Sequence, residues 1–370
     1  MKKIKLFILL PFLLLTVAFI QVRVFEGTEK VVNTQGEQYY GIEDFESVRK
    51  FDIHIHINTE EIFFVEQAQT DNFQFLDIVD DRPFGLPMDE QQKIAMLHLK
   101  NFSKRMAVAT TFPVKDWGND DWSENTITGL KKSFSDGAIA VKIWKNIGMD
   151  LRDENGKFIM VDDVRLDPIL DYLVANNIPL LGHNGEPRDC WLPLDEMTFS
   201  QGYYGSHPEY HMYLHPEYPS YQDQIDARDN ILQKHPNLTF MGAHLGSLEW
   251  SLDELTKRLD KFPNMHVDLT RMSNLKLHTF NNRQKTREFF IKYQDRLIYG
   301  TDSQINASTN SAEFKKNIHD RWVREWKFYV TDDKISLEKF GELEGLKLPT
   351  EVVDKIYAKN ALRILGLQNW

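Results

Sequence analysis

Short apolar runs alternate with amphipathic segments along most of the chain, and eight of these runs have the length of a buried strand. The eight runs are residues 51–57, 73–79, 105–112, 138–144, 178–183, 238–244, 265–269 and 297–299. Most segments between them repeat apolar residues with a period of about 3.6 residues, which predicts amphipathic helices. Eight strand–helix repeats predict an α/β protein whose strands close into a (β/α)8 TIM barrel. An open doubly wound sheet is the alternative, but no glycine-rich phosphate-binding motif follows any of the runs, which argues against a nucleotide site.

The N-terminus has a different pattern. Lys2, Lys3 and Lys5 precede an uncharged apolar run over residues 6–20. At 1.5 Å per residue this run is too short for the ~30 Å hydrocarbon core and has the length of a signal-peptide core, although extension to residue 24 would give a tilted anchor. We therefore assign residues 1–24 to a signal peptide or membrane anchor, 25–47 to a linker and 48–370 to the barrel. The basic start predicts an exported protein, periplasmic or otherwise extracytoplasmic, or membrane-anchored.

The composition narrows the range of partners. The chain has 44 Lys and Arg residues against 55 Asp and Glu residues, a formal net charge of −11, which argues against a nucleic-acid binder. Its single cysteine, Cys190, excludes an intrachain disulfide and a cysteine-based zinc site. A small-molecule substrate is the expected partner; a membrane contact through the N-terminal segment and a homo-oligomer are both left open.

Two histidines lie in the first predicted strand. Side chains alternate along a strand, so Asp52, His54 and His56 are expected on one face of it. Central parallel strands are normally apolar on both faces, and an unpaired buried imidazole costs several kcal/mol. A divalent metal held by both rings would remove that cost. A pair of hydrogen-bonded core histidines is the alternative.

Polar residues also follow three later strands. His183 follows Gly182 after the fifth, His244 follows Gly242 and Ala243 after the sixth, and Asp302 follows the eighth. The carboxyl ends of the strands form the face where TIM barrels build their sites. Imidazoles with one carboxylate suit zinc, and also iron or manganese. The sequence therefore predicts a metal site at the mouth of the barrel.

These motifs, in this order, resemble those of the amidohydrolase superfamily, specifically its amidohydrolase-related (amidohydrolase 2) branch. The matching segments are Asp52-Ile53-His54-Ile55-His56, Gly182-His183, Gly242-Ala243-His244-Leu245-Gly246-Ser247, Tyr299-Gly300-Thr301-Asp302 and Lys359-Asn360-Ala361. The resemblance implies that His54, His56, His183 and Asp302 bind a divalent metal, most simply one zinc ion, with two ions as the alternative. It also implies that His244 either polarises the substrate or completes the metal site.

Lys142 lies near the end of the fourth predicted strand, where burial is expected to lower its pKa. In binuclear members of the superfamily a strand-four lysine is carbamylated and bridges two metals, and Lys142 occupies the corresponding place. Members of the amidohydrolase-related branch often use one metal without that bridge. The alternative is therefore an amine that binds a substrate anion or pairs with a carboxylate.

The longest interruption of the pattern, residues 184–220, follows the fifth strand and is rich in aromatic residues. Its length and composition predict a lid over the barrel mouth; a packed surface segment is the alternative. Arg188 within it, and Arg271 after the seventh strand, are candidates to bind a substrate carboxylate through paired hydrogen bonds. Surface salt bridges are the alternative for both arginines.

Together these features predict a metal-dependent hydrolase in which water attacks an amide, ester or lactone bond of a small molecule. Asp302 is expected to accept the proton of that water, and His244 to stabilise the developing oxyanion if it is not itself a ligand. A metal-dependent decarboxylase, a carbon–carbon lyase found in the same branch, is the first alternative. A non-catalytic metal-binding scaffold is the second.

Overall fold

The computed structural model describes residues 38–370, and its main sheet contains the eight predicted strands in chain order, each parallel to the next. The strands are β1 (Lys50–Asn58), β2 (Phe73–Ile78), β3 (Met106–Thr110), β4 (Ala140–Ile143), β5 (Leu180–Gly182), β6 (Phe240–Gly242), β7 (Met265–Asp268) and β8 (Leu297–Ile298). Most of these strands are shorter than the apolar runs that predicted them, because the hydrogen-bonded pairing stops before the end of the apolar run. All their carboxyl ends therefore meet at one face of the sheet.

The last strand is split in two, and its second half closes the sheet. A ninth strand, β9 (Ser303–Asn306), follows β8 after four residues and pairs in parallel with β1. Within the connecting residues, Tyr299 O accepts a hydrogen bond from Ile53 N (3.0 Å), and Asp302 N donates one to His54 O (2.8 Å). The first half thus pairs with β7 and the second with β1. This closure confirms the TIM-barrel prediction and excludes the open sheet.

Helices surround the barrel between successive strands. They are α1 (Phe63–Thr70), α2 (Met88–Phe102), α3 (Trp122–Ser135), α4 (Asp167–Ala175), α5 (Gln201–Ser206), α6 (Tyr221–Lys234), α7 (Leu252–Lys261), α8 (Met272–Asn281), α9 (Arg283–Lys292), α10 (Ser311–Val330), α11 (Thr350–Asp354) and α12 (Asn360–Ile364), with a π-helical turn at Lys355–Lys359 joining the last two. A charged segment before α11 forms an antiparallel hairpin of β10 (Lys334–Leu337) and β11 (Gly341–Glu344). The apolar faces of the helices and the outward side chains of the strands form one large core.

A second core fills the amino-terminal half of the barrel interior. Phe51 and Ile53 of β1 pack there with residues of the other strands, such as Leu76 and Met241. Residues 358–365 at the C-terminal end of the chain join the same cluster and cover that end of the barrel. The polar chemistry is therefore confined to the opposite, carboxyl end.

Residues 38–47 contact the barrel, although the sequence assigned them to a linker. Tyr40 Oη donates to Asp354 Oδ1 (2.8 Å), Gly41 O accepts from Trp326 Nε1 (3.0 Å), and Phe45 is buried. The N-terminal apolar segment lies outside the described residues, so its assignment stays a prediction. Among residues 38–370 no helix is long and apolar enough to cross a membrane.

The segment after β5, residues 184–220, is called the excursion below. It contains α5 and several 3-10 turns, and it has a small hydrophobic core of its own, in which Cys190, Met197, Tyr204 and Met212 pack with Met149. It is thus a folded segment with internal packing. Its proposed closure over the barrel mouth stays a prediction.

Buried Asp77 on β2 gives the fold a pH dependence. Its Oδ1 accepts from Ile57 N (2.9 Å), its Oδ2 has no hydrogen-bond partner among the described residues, and burial raises its pKa from 3.8 to about 7. Between these values the folded state binds more protons, so this carboxyl's contribution to stability is complete below pH 3.8 and is lost as pH rises through 7. Because asparagine does not titrate, we expect the stability of Asp77→Asn relative to the wild type to rise by about 3 kcal/mol from pH 5 to pH 8. Urea unfolding at both pH values measures this; an identical pH dependence in the two proteins would contradict it.

Candidate metal centre

A β-bulge in β1 directs two histidines into the barrel. The bulge lies between Asp52 and Ile55, where the register with β2 shifts. Phe51, before the shift, and Ile53, within it, pack in the interior core, whereas Ile55 after it packs in the outer core. The alternation is therefore reset, and His54 and His56 point toward the carboxyl end of the interior. Bulges often re-aim side chains beside active sites in this way.

The bulge also changes the position predicted for Asp52. This residue does not extend the face of the two histidines. Its Oδ1 accepts from His54 N (3.1 Å) and Thr301 N (3.0 Å), and its Oδ2 accepts from Thr301 Oγ1 (2.7 Å). The carboxyl of Asp52 therefore fixes the junction between β1 and the split last strand. Strict alternation could not reveal this, because the bulge leaves no signature in the apolar pattern.

Three histidines converge on the carboxylate of Asp302. The Nε2 atoms of His54 and His56 lie 3.5 Å and 3.6 Å from Asp302 Oδ1, and His244 Nε2 lies 3.7 Å from Asp302 Oδ2. Ligand atoms of His54, His56 and Asp302 all lie within 4.8 Å of one another. The histidines are almost fully buried, and the side chain of Asp302 is 32% exposed. The centre thus opens to solvent beside the acid.

Strained backbone positions two of these side chains. Asp302, in the junction of the split strand, has a φ of 57°. His244 begins a run of four residues, through Ser247, with φ between 57° and 64°. Each non-glycine residue in this left-handed region costs on the order of 1 kcal/mol, and such strain clusters at functional sites. The turn is tight, since a Cβ on Gly242 would lie 2.8 Å from Gly246 Cα.

The hydrogen-bond network fixes the tautomer of all three rings. His54 Nδ1 donates to Asp268 Oδ2 (2.7 Å), and His56 Nδ1 donates to the carbonyl of Ile78 (2.9 Å). In the third ring, His244 Nδ1 lies 2.7 Å from the hydroxyl oxygen Oγ1 of Thr270.

Thr270 gives its only proton to Asp268 Oδ1 (2.8 Å), so it accepts from His244 Nδ1. Burial lowers the pKa of His56 to about 3 and that of His244 well below its ordinary value, so both rings are neutral. The Nε2 atoms of His56 and His244 therefore present lone pairs toward the carboxylate, and the Nε2 of His54 faces it from β1.

This donor set fits a divalent cation. The Nε2 lone pairs of His56 and His244 face carboxylate oxygens of Asp302 at 3.6 Å and 3.7 Å and repel them, and a cation between these atoms removes the repulsion. Imidazole and carboxylate ligands suit zinc and the neighbouring divalent transition metals. His54, His56 and Asp302 would hold the ion.

His183, the fourth predicted ligand, adjoins this group without belonging to the tightest set. Its ring centroid lies 4.4 Å from that of His244, in an edge-to-face arrangement. Its Nε2 is enclosed and has no hydrogen-bond partner among the described residues. Burial, reinforced by the charge of Lys142, holds its pKa well below the ordinary value. An enclosed, neutral imidazole nitrogen without a partner is what an additional metal ligand requires.

Lys142 is the second enclosed group without a partner. Its side chain on β4 is fully buried, and its Nζ has no hydrogen-bond partner among the described residues. Burial lowers its pKa to about 8, although the charges of Asp302, Asp80 and Asp268 oppose the shift. The amine therefore lies among the carboxylates of the centre. This placement is compatible with both predicted roles, the carbamate bridge and the amine.

Asp268, at the end of β7, was missed as a functional residue. Its carboxylate contacts His54 Nδ1 and Thr270 Oγ1, and it also accepts from His244 N (2.7 Å). These contacts keep its pKa below the ordinary value despite full burial. Asp80 after β2 is a similar case, because its Oδ2 lies 3.4 Å from His56 Nδ1 and its carboxylate is paired with Arg82. The rule that selected Asp302, a polar residue at a strand end, would have found both.

The two predicted substrate-binding arginines have different surroundings. The guanidinium of Arg188 stacks over the ring of Trp250 at 4.1 Å. Arg271 lies near the metal centre. Its positive charge is the second-largest cause, after burial, of the low pKa of His244. Its Nε is enclosed and has no hydrogen-bond partner among the described residues. Arg271 is therefore the better placed of the two to meet a ligand.

A cleft of about 460 Å³ opens at the same end of the barrel, beside residues that follow β4 and β5. Its lining includes Trp144 and an ion pair between Lys145 and Glu186. The excursion contributes Tyr203 and Tyr210, whose rings are about half exposed. The cleft is large enough for a small organic molecule and combines aromatic faces with one charged pair.

Known proteins resemble this chain in sequence pattern and in fold. The amidohydrolase family model Amidohydro_2 matches residues 120–367, which contain His183, His244 and Asp302 but not the histidines of β1. No curated protein matched the sequence.

Among solved structures, the fold is similar to the uncharacterized TIM-barrel protein Bb4693 from Bordetella bronchiseptica, with 13% identity, a TM-score of 0.50, and 87% of this chain and 100% of that chain covered. The fold is also similar to dihydroorotase from Campylobacter jejuni, with 12% identity, a TM-score of 0.48, and 87% of this chain and 84% of that chain covered. A third similar structure is 4-oxalomesaconate hydratase from Rhodopseudomonas palustris, with 13% identity, a TM-score of 0.46, and 86% of this chain and 96% of that chain covered. At these identities the structures show the fold alone. The family match spans more than half of the chain, and this protein therefore belongs to the amidohydrolase family.

Proposed function

We propose that this protein is a divalent-metal-dependent hydrolase that acts on an amide, ester or lactone bond of a small molecule. The observation that carries the proposal is the convergence of three imidazole Nε2 atoms, from His54, His56 and His244, on the carboxylate of Asp302. A divalent cation bound there would lower the pKa of water and polarise a carbonyl oxygen. The metal is most simply zinc, in one copy or two.

Asp302 is the group proposed to move the proton. Its carboxylate is partly exposed at the open side of the centre, where it can accept a proton from the attacking water and pass it to the leaving group. His244 donates through Nδ1 to Thr270, so its Nε2 offers a lone pair and no proton. This supports His244 as a metal ligand or proton acceptor over an oxyanion donor.

The aromatic cleft is proposed to hold the part of the substrate that does not react. Trp144 and the tyrosines of the excursion would contact an apolar or ring-containing group, while Lys145 and Glu186 would orient polar atoms. The excursion would thereby supply one wall of the substrate pocket.

Metal analysis combined with product analysis tests the function. We expect purified protein to contain a stoichiometric divalent metal, to hydrolyse members of a panel of amides, esters and lactones, and to lose that activity on chelation. His56→Asn should lower the metal content at least about tenfold because it removes a ligand, whereas His207→Asn, in the excursion, should leave it unchanged. Release of CO2 without net addition of water would contradict hydrolysis and favour the decarboxylase. Biological activity that is unchanged in His244→Asn or Asp302→Asn would favour the non-catalytic metal-binding scaffold.

We also propose that residues 1–24 export the protein or anchor it to a membrane. The basis is the basic start followed by the apolar run over residues 6–20. Cell fractionation of the full chain should place it outside the cytoplasm or in the membrane, and a chain lacking residues 2–24 should stay in the cytoplasm. Equal distribution of the two chains would refute the assignment.

A further inference from the structure

A second cavity, of about 400 Å³, lies beside the metal centre. It is bounded by the residues that follow β7, by helices α8 and α10, and by two residues of the excursion. Its charged lining is almost entirely basic: Arg271, Lys276, Arg321 and Arg324, with Glu325 as the single acid. A net charge of +3 in one cavity is unusual for a chain whose total charge is −11.

The single acid in this cavity pairs with only one of its four basic residues. Glu325 Oε1 accepts from Arg321 Nε (2.8 Å), and its Oε2 accepts from Tyr299 Oη (2.5 Å). Arg271, Lys276 and Arg324 form no ion pair within 4.0 Å with any described side chain. With one acid in the lining for four basic residues, the cations outside the Arg321–Glu325 pair repel one another, and an anion between them would relieve the repulsion.

The same cavity contains further donors without partners. The Nε of Arg271 is enclosed and has no hydrogen-bond partner among the described residues. The N-terminus of α8 lies in the cavity wall at Met272, Ser273 and Asn274. This ten-residue helix has no side-chain cap and no acidic residue in its first turn. Its first N–H groups therefore add to the field of the basic side chains and favour a negative ligand.

One residue links this cavity to the metal centre. Thr270 lines the cavity, and its Oγ1 accepts from His244 Nδ1 while donating to Asp268 Oδ1. A ligand in the cavity would thus lie one hydrogen bond from a histidine of the centre.

We propose that this basic cavity binds an anionic oxygen group, a carboxylate or a phosphate, next to the metal centre. The anion is either part of the substrate, which rests on the proposed hydrolase function, or a separate small anion. Both sources share the same chemistry, because guanidinium, ammonium and helix N–H groups all recognise oxyanions.

Calorimetric titration of the metal-loaded full chain tests the binding. Inorganic phosphate and succinate are the probes, and Lys276→Gln/Arg324→Gln is the variant. Losing two charge-assisted hydrogen bonds should weaken binding of at least one probe by about tenfold or more. Lys93→Gln/Lys132→Gln, on exposed faces of α2 and α3, is the matched control and should bind within about twofold of the wild type. Absence of binding to the wild type, or binding that survives in the variant, would overturn the proposal.

Kinetics then separates the two sources of the anion. If the substrate carries it, the variant should raise KM for acidic substrates and leave KM for uncharged analogues unchanged. If the anion is separate, the variant should lose phosphate or succinate binding with KM unchanged for both. Calorimetry needs no turnover, so a failure of the hydrolase proposal would leave the binding result intact, and the two failures can be distinguished.

Discussion

Asp302→Asn is expected to lower kcat/KM by about 1000-fold or more while the protein stays folded. Asparagine has nearly the same size and tolerates the left-handed φ of 57° at this position, so the junction between β8 and β9 should persist. The substitution removes the negative charge that faces three imidazoles and the proposed proton acceptor, whose loss alone typically costs 100- to 10,000-fold. Steady-state kinetics, metal content and circular dichroism measure the three effects.

A matched control for this variant is Asp136→Asn. Asp136 is an exposed carboxylate that pairs with Lys132 on the surface of α3, and its loss should leave kcat/KM unchanged. If Asp302→Asn kept more than about a tenth of the wild-type activity with metal bound, the role of Asp302 as proton acceptor would be refuted.

Asp268→Asn is expected to weaken metal binding by 10- to 100-fold, the usual range for groups that orient metal ligands. The carboxylate of Asp268 accepts from His54 Nδ1, from the backbone of His244 and from Thr270 at once. An amide cannot accept all of these bonds, because its nitrogen is a donor. At least one imidazole would therefore lose its orientation. Competition with a chelator of known affinity measures the change.

Asp77→Asn is the control for this second prediction. Both residues are fully buried aspartates on barrel strands, but the carboxylate of Asp77 bonds backbone N–H groups and contacts no metal-centre histidine. Its substitution should change the pH dependence of folding and leave metal affinity within about threefold. Equal losses of affinity in the two variants would show that burial of a carboxylate, and not its contact with histidine, matters at Asp268.

The apolar pattern was sufficient to predict the eight strands of the barrel and to predict which end of the barrel carries the candidate metal site. Buried parallel strands are continuous apolar runs, so a polar residue at the end of a run is conspicuous, and this singled out His244 and Asp302. The same pattern could not show the bulge that re-aims His54, because a shift of register leaves the residue types unchanged. It also could not show the split of the last strand, which depends on long-range pairing with β1.

The supporting contacts were harder to read. The strand-end rule selects Asp268, but only its hydrogen bonds show that it orients His54 and His244. Arg188 and Arg271 are equivalent in sequence terms, since each follows a strand, yet one stacks on Trp250 and the other reaches the basic cavity. Which arginine meets a ligand is decided by the folding of the surrounding loops and helices, which no local pattern encodes.

The split of the last strand has a consequence for the lifetime of the protein. The carboxylate proposed to ligate the metal lies in the four-residue junction that joins the two ends of the barrel, and its backbone N–H bonds to His54. A cation held between Asp302 and the histidines of β1 would tie the first strand to the last and so resist opening of the barrel wall. Metal starvation would then shorten the survival of the folded protein as well as stop its turnover.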